Sequence, residues 1–227
     1  MNCIKEYLKK NNHLFLLLYA LIYIPWFCYL EKTVTTKFHI IHMTIDDYIP
    51  FCEFFVIPYY LWFVYIAAGI VFIAFTDGKE CKKLGLFLIT GMTVFLFLST
   101  VYPNGHMLRP DSFVRDNFCV DLVKRLYASD TPTNLFPSIH VYNSLGIHIA
   151  LCRSQKLENK KWIRVCSLIL VINIVLATMF LKQHSAFDVI TAFGLAALMY
   201  SVSFGRIGEA IAQKFAKRSP SGHTNEA

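Results

Sequence analysis

Six apolar segments punctuate this chain, and they constrain its fold more than any other feature. They run from about His13 to Leu30, Glu53 to Phe75, Leu84 to Tyr102, Ser138 to Cys152, Trp162 to Leu181 and Ala186 to Phe204. Five of them reach the roughly 18 to 20 residues that a membrane-spanning helix requires. A backbone in lipid must satisfy its own polar groups, so such segments specify helices. With 56% hydrophobic and 15% aromatic residues in 227, the chain exceeds what a soluble core of this length needs. The expected fold is all-α, a polytopic six-transmembrane-helix bundle forming one domain over residues 1–204. The fourth segment is the weak member. It is short and interrupted by Asn143, Ser144 and His148, and hydropathy alone is compatible with a buried or re-entrant helix.

Charge supports the six-span reading. When successive connections are assigned to alternate sides, one side receives fifteen basic residues, among them Lys9, Lys10, Lys82, Lys83, Arg153, Lys160, Lys161, Arg206 and Lys217. The other receives seven: Lys32, Lys37, Arg109, Arg115, Lys124, Arg125 and Lys182. Cytoplasmic segments carry such an excess, so both termini are expected inside, N-in/C-in. Omitting the fourth span would put the basic tail outside. The net charge of +7 is thus mostly a topology signal, and no nucleic-acid partner is implied. Residues 205–227 read as a flexible basic cytoplasmic tail. Lys9-Lys10 before a Leu-rich stretch superficially resembles a signal peptide, but no small-residue cleavage site follows, and the segment reads as a retained anchor.

Seven scattered cysteines with no CxxC pair argue against a zinc site or a disulfide framework. Only Cys52 and Cys119 fall in or beside outer segments, where an oxidising compartment would allow a bridge. His39, His42, Asp46 and Asp47 have metal-binding residue types but read as a wet outer loop. No metal or cofactor is expected. The longest connection, Pro103 to Pro137, balances its charges and is rich in turn formers, the kind of loop that is usually functional or mobile.

Three polar clusters alternate with the spans. Gln183-His184-Ser185-Ala186-Phe187-Asp188 lies in the short connection between the last two segments and carries a His and an Asp four positions apart. Ionisable groups at a membrane boundary are expensive and point to function. On a helix this spacing puts both side chains on one face, where the carboxylate can orient the imidazole. Phe136-Pro137-Ser138-Ile139-His140 opens the fourth segment with a second His, and Leu108-Arg109-Pro110 follows the third with a fixed cation. Pro137-Ser138 is a plausible helix start, where free N–H groups favour a phosphate, and an Arg fork matches phosphate geometry. His148 reads as a packed or hydrogen-bonding residue.

Taken in order, Arg109-Pro110, Pro137-Ser138-Ile139-His140 and His184-x-x-x-Asp188 resemble the three-part signature of the type-2 phosphatidic acid phosphatase superfamily, membrane lipid phosphatases and phosphotransferases. The resemblance covers roughly Tyr102 to Phe204. It implies a phosphohistidine mechanism without metal: His184 attacks phosphorus, Asp188 holds its imidazole, and His140 protonates the departing oxygen. Arg109 and Ser138 would bind the phosphate. The chain departs from the family at two places: Tyr102 stands at the phosphate-binding position where the pattern has Lys, and is carried over as a phosphate ligand there, and Ala177-Thr178 stand where it has Ser-Arg. Lys182 is the nearby cation that could substitute, and Lys182-Gln183-His184 resembles a branch related to inositol phosphorylceramide synthase. Pro220-Ser221-Gly222-His223 matches the family's middle motif letter for letter, but it follows the third motif and begins no apolar segment, so it reads as a decoy.

The resemblance implies removal of phosphate from a lipid phosphate monoester or polyprenyl pyrophosphate in the bilayer. Transfer to a second lipid or polyol through the same site is the alternative. A non-catalytic lipid-binding or transport protein is a third reading, against which the retained His140, His184 and Asp188 speak. The default location is a plasma membrane with an outward-facing site. An internal secretory membrane with a luminal site would give the same charge pattern, and the sequence leaves the oligomeric state open.

Overall fold

The computed structural model of the protein describes residue 16 and residues 18–205. The beginning of the first apolar segment, the basic tail after Gly205 and the second Pro-Ser-Gly-His lie outside the described residues. In chain order the elements are α1 (Ala20–Thr33), β1 (His39–Ile40), α2 (Thr44–Tyr48), α3 (Val56–Thr76), α4 (Gly78–Val101), β2 (Asn104–Gly105), α5 (Phe118–Ser129), α6 (Ile139–Arg153), α7 (Lys161–Phe180) and α8 (Ala186–Ser203). One-turn 3-10 helices at Glu53–Phe55 and Gln155–Leu157 precede α3 and α7. The fold is helical, and the sheet among the described residues is the two-residue parallel pairing of β1 with β2. Among the described residues, four stretches, Glu53–Thr76, Gly78–Val101, Lys161–Phe180 and Ala186–Ser203, are long and apolar enough to cross a membrane.

The charged start of α4 lies beyond the limit that hydropathy suggests, because its charges are matched. Asp77 caps the helix by accepting the Glu80 N–H (3.1 Å), and Glu80 pairs with Lys83 (3.2 Å) and with Arg153 of α6 (3.1 Å). Arg153 also lies over the Phe204 ring, 5.5 Å from its centre, so one cluster gathers the start of α4 and the ends of α6 and α8.

Helix α6 is the hub. It packs against α3, α4, α7 and α8, and at 15 residues it is about 22 Å long, short of the ~30 Å hydrocarbon layer. Its polar residues face protein. Ser144 donates to the His140 carbonyl (2.6 Å), and His148 Nδ1 contacts Ser167 Oγ (2.9 Å), which in turn meets the Tyr65 hydroxyl (2.7 Å). Tyr142 stacks on Phe87 and donates to its carbonyl (2.8 Å), lying so close to Gly91 that a Cβ there would sit 2.1 Å from the ring. The low hydropathy of this segment follows from its neighbours, which separate it from lipid.

Because successive helices reverse direction, the ends of α1, α4 and α7 meet the starts of α3, α6 and α8 at one end of the bundle. There the long connection is folded. Helix α5 buries Cys119, Val123 and Leu126 against Val56, Tyr59, Ala177 and Leu181. Its cap residue Asn117, with Arg115, also binds the buried Glu53 carboxylate (3.0 and 2.8 Å). Cys52 and Cys119 are both free thiols, so the bridge that an oxidising compartment would allow is not formed.

Candidate active site

The turn from α7 into α8 is built around a reciprocal cap. Ser185 ends the turn as the cap of α8, and Asp188, three residues on, returns Oδ2 to accept the Ser185 N–H at 2.9 Å. The same oxygen lies 3.4 Å from His184 Nδ1. That contact lacks hydrogen-bond alignment. On its other side His184 Nε2 lies 3.3 Å from His140 Nδ1. His140 is on the first turn of α6, its ring against Trp62 (4.3 Å) and Tyr59 (4.7 Å), with Trp62 Nε1 donating to its carbonyl (3.1 Å). Ser138 caps α6, accepting the Val141 N–H at 3.5 Å, and its own N–H donates to the Asp188 carbonyl (3.2 Å). The second and third clusters are thus joined through both backbone and side chains, and His184, Asp188 and Ser138 are buried.

Arg109 comes to the same place, but its fork is engaged by protein. Nη1 donates to the carbonyls of Tyr127 (3.3 Å) and Asp130 (2.9 Å), Nη2 donates to Gln183 Oε1 (2.5 Å), and the guanidinium lies 4.4 Å over the Tyr127 ring. Its Nε is buried without a partner, as is Nε2 of Gln183. Burial pushes the Arg109 pKa down from its ordinary value, with the Asp130 carboxyl acting the other way. His184 is drawn down to about 3, first by burial and then by the Arg109 charge, so near neutrality its imidazole carries a free lone pair.

The other two sequence-predicted phosphate ligands go elsewhere. Lys182, in the left-handed region at φ 51°, directs Nζ to the Asp46 carbonyl (2.7 Å). Tyr102 ends α4, 43% exposed, and stacks on His39 at 4.2 Å. Neither makes a contact with the histidine pair among the interactions described.

Asp46 corrects the sequence reading of a wet outer loop. It is 2% exposed, and its carboxylate accepts from the Met43 N–H (2.8 Å), Ser185 Oγ (2.5 Å) and the Ala186 N–H (2.8 Å). It clamps the turn that carries His184 from a loop about 140 residues away in sequence. His42 and Asp47 do fit that reading, as an exposed pair at 2.8 Å. Sequence reasoning also passed over His106, which is 1% exposed, and Asn104, whose Oδ1 accepts from the N–H groups of Leu135 (2.9 Å) and Phe136 (3.0 Å) just before the second motif. The signal for Ser185 was present in Ser-x-x-Asp; for Asp46 and Asn104 no local pattern exists, since both act across long sequence separations. Among the described residues, no group of three or more His, Cys, Asp or Glu side chains is placed to hold a metal ion.

No family model, curated protein or solved structure matches this chain. The functional reading therefore rests on the geometry and on the residues themselves.

Proposed function

We propose that this protein is a membrane phosphohydrolase that removes phosphate from a lipid phosphate monoester or polyprenyl pyrophosphate through a phosphohistidine. The observation that carries the reading is the linear array Asp188, His184, His140, in which each nitrogen of the His184 ring has its own neighbour. With the Nδ1 proton turned to Asp188, the Nε2 lone pair attacks phosphorus. The bond from phosphorus to the alcohol oxygen breaks, and this oxygen takes a proton from His140, which enters the step as the imidazolium, favoured by the bound phosphate's negative charge, and leaves it neutral. Water then attacks the phosphohistidine, giving up its proton to His140, and free phosphate leaves with His184 restored. Arg109 contributes its charge and the unengaged Nε, while burial keeps the nucleophile neutral. Positioned proton donation of this kind is worth roughly 10²- to 10⁴-fold.

The same reading takes the bundle as six spans with both termini inside and the site on the outer face. Support comes from the alternating helix directions and the fifteen-to-seven division of basic residues. The test is a purified, full-length protein assayed with a panel of lipid phosphates, with and without an alcohol acceptor. Free phosphate is expected, and a new phosphodiester would make the protein a transferase. His184→Ala is expected to abolish an acid-labile phosphoenzyme. His140→Ala is expected to slow its formation from poor leaving groups while sparing good ones, which need no proton. A phosphoenzyme surviving in His184→Ala would overturn the assignment.

A further inference from the structure

Two of the expected phosphate ligands, Lys182 and Tyr102, do not reach the site, which raises the question of what else can hold a phosphoryl group. Lys182 is bonded to Asp46 and Tyr102 stacks on His39. The Arg109 fork is occupied by carbonyl oxygens. What this end of the bundle offers instead is a set of buried N–H donors without partners: Arg109 Nε, Gln183 Nε2 and His106 Nε2. Of these, His106 is the residue that no motif accounts for.

Its position is tightly determined. Gly105 before it bridges Thr133, at a point where a Cβ would lie 2.6 Å from the Pro132 carbonyl. The His106 N–H donates to that same carbonyl at 3.0 Å. The ring then turns inward, and Nδ1 accepts the Leu108 N–H at 3.1 Å. Accepting at Nδ1 leaves the neutral ring with its proton on Nε2, so Nε2 is a donor. Burial holds the ring neutral by drawing its pKa down to about 4, with the Gln183 carbonyl and Asp188 acting the other way and the Arg109 charge adding to it. The ring faces the Gln183 carbonyl, yet Nε2 reaches no acceptor with hydrogen-bond geometry. A donor buried to 1% exposure, facing the carbonyl of the residue before His184 but out of hydrogen-bond geometry with it, is the arrangement expected of a group whose better acceptor arrives with the substrate.

We propose that His106 is a phosphate-binding residue of this site, donating a hydrogen bond from Nε2 to a non-bridging phosphoryl oxygen alongside Arg109 Nε and Gln183 Nε2. This rests on the phosphohydrolase reading above. Neutral donors here take over part of what a second cation would supply. The other acceptor within electrostatic reach is Asp188 Oδ1, itself unpartnered, and a bond there would make His106 a purely structural residue.

The experiment compares the full-length wild type with His106→Leu, His106→Gln and His106→Asn in detergent, using orthovanadate and inorganic phosphate as probes. Inhibition constants and thermal stability are read with and without probe. His106→Leu is expected to be at least as stable as wild type without probe, because an unpaired buried donor has been replaced by an apolar side chain. It is expected to weaken orthovanadate inhibition about tenfold or more, to lose the stabilisation that the probe confers, and to lower kcat/KM by ~10- to 100-fold. Gln, whose amide nitrogen overlays Nε2, should recover most of the inhibition, and the shorter Asn should not. This contrast decides the matter if the Leu variant does not fold. Equal inhibition across the four proteins, or Leu losing stability alone, would overturn the proposal and leave the catalytic reading standing. A wild type that neither binds orthovanadate nor releases phosphate would overturn both.

Discussion

Removing the Asp46 carboxylate should cost far more than removing a loop carboxylate normally does. Its three donors are the Met43 N–H (2.8 Å), Ser185 Oγ (2.5 Å) and the Ala186 N–H (2.8 Å), all around a side chain that is 2% exposed. In Asp46→Ala the serine hydroxyl can rotate to another acceptor, whereas the backbone N–H groups cannot. At about 1–3 kcal/mol for each of the two N–H groups left unpaired, the expected loss is roughly 2–6 kcal/mol. That is a large part of the ~5–15 kcal/mol that holds a typical domain together. Asp46→Asn, which keeps one carbonyl oxygen in place, should lose about half as much. Equilibrium unfolding in mild detergent measures these differences. Lys182 holds the same segment through the Asp46 carbonyl (2.7 Å), so Lys182→Ala and Asp46→Ala should be non-additive by roughly 0.5–3 kcal/mol. Turnover should fall as well, because His184 is next to the clamped Ser185, and a displacement near 1 Å at a reacting group can cost about 10²-fold. An Asp46→Ala protein within about 0.5 kcal/mol of its parent, the range of ordinary surface substitutions, would refute this account of the turn.

Two further outcomes are expected. His106 has its pKa drawn down to about 4 by burial, against about 6.5 in an unfolded chain, so between those values the unfolded state binds the extra proton and acid removes stability. Relative to His106→Gln, the parent should therefore lose up to about 1.4 kcal/mol per pH unit as pH falls from 6.5 towards 4; parallel curves would contradict it. The comparison cancels Asp130, whose carboxyl burial raises to about 6 and which acts in the opposite sense. For orientation, a cysteine placed near Asp116 should react with an impermeant reagent added outside, and one near Glu158 should not. Reaction at both would end the six-span arrangement.

The helices were legible in the sequence because lipid imposes a simple rule on long apolar runs, and the four longest stretches form as continuous helices with ends shifted by a few residues. The shift at α4 arises where Glu80, Lys83 and Arg153 neutralise one another, which a hydropathy profile counts only as charge. At the site, His140, His184, Asp188, Ser138 and Arg109 were legible as short patterns, and they do come together. Lys182 shows the limit of that reasoning: a cation near a motif in sequence points to whatever acceptor the tertiary fold provides, here the Asp46 carbonyl. Asp46 looked like loop because a carboxylate in a polar stretch carries no sign of the distant N–H groups it will meet. His106 was hidden for a related reason, since a lone histidine in a turn gives no hint of its burial.

The shortness and polarity of α6 bear on how the chain is made. A segment carrying Asn143, Ser144 and His148 over 15 residues offers the insertion machinery little incentive to release it sideways into lipid by itself. It gains a favourable environment only once α3, α4, α7 and α8 surround it. Its insertion is therefore tied to helices synthesised both before and after it, and His140, on its first turn, reaches His184 only when that late step is complete. Closing the bundle and assembling the site become one event: a chain whose bundle has not closed carries His140, His184 and Asp188 without bringing them together.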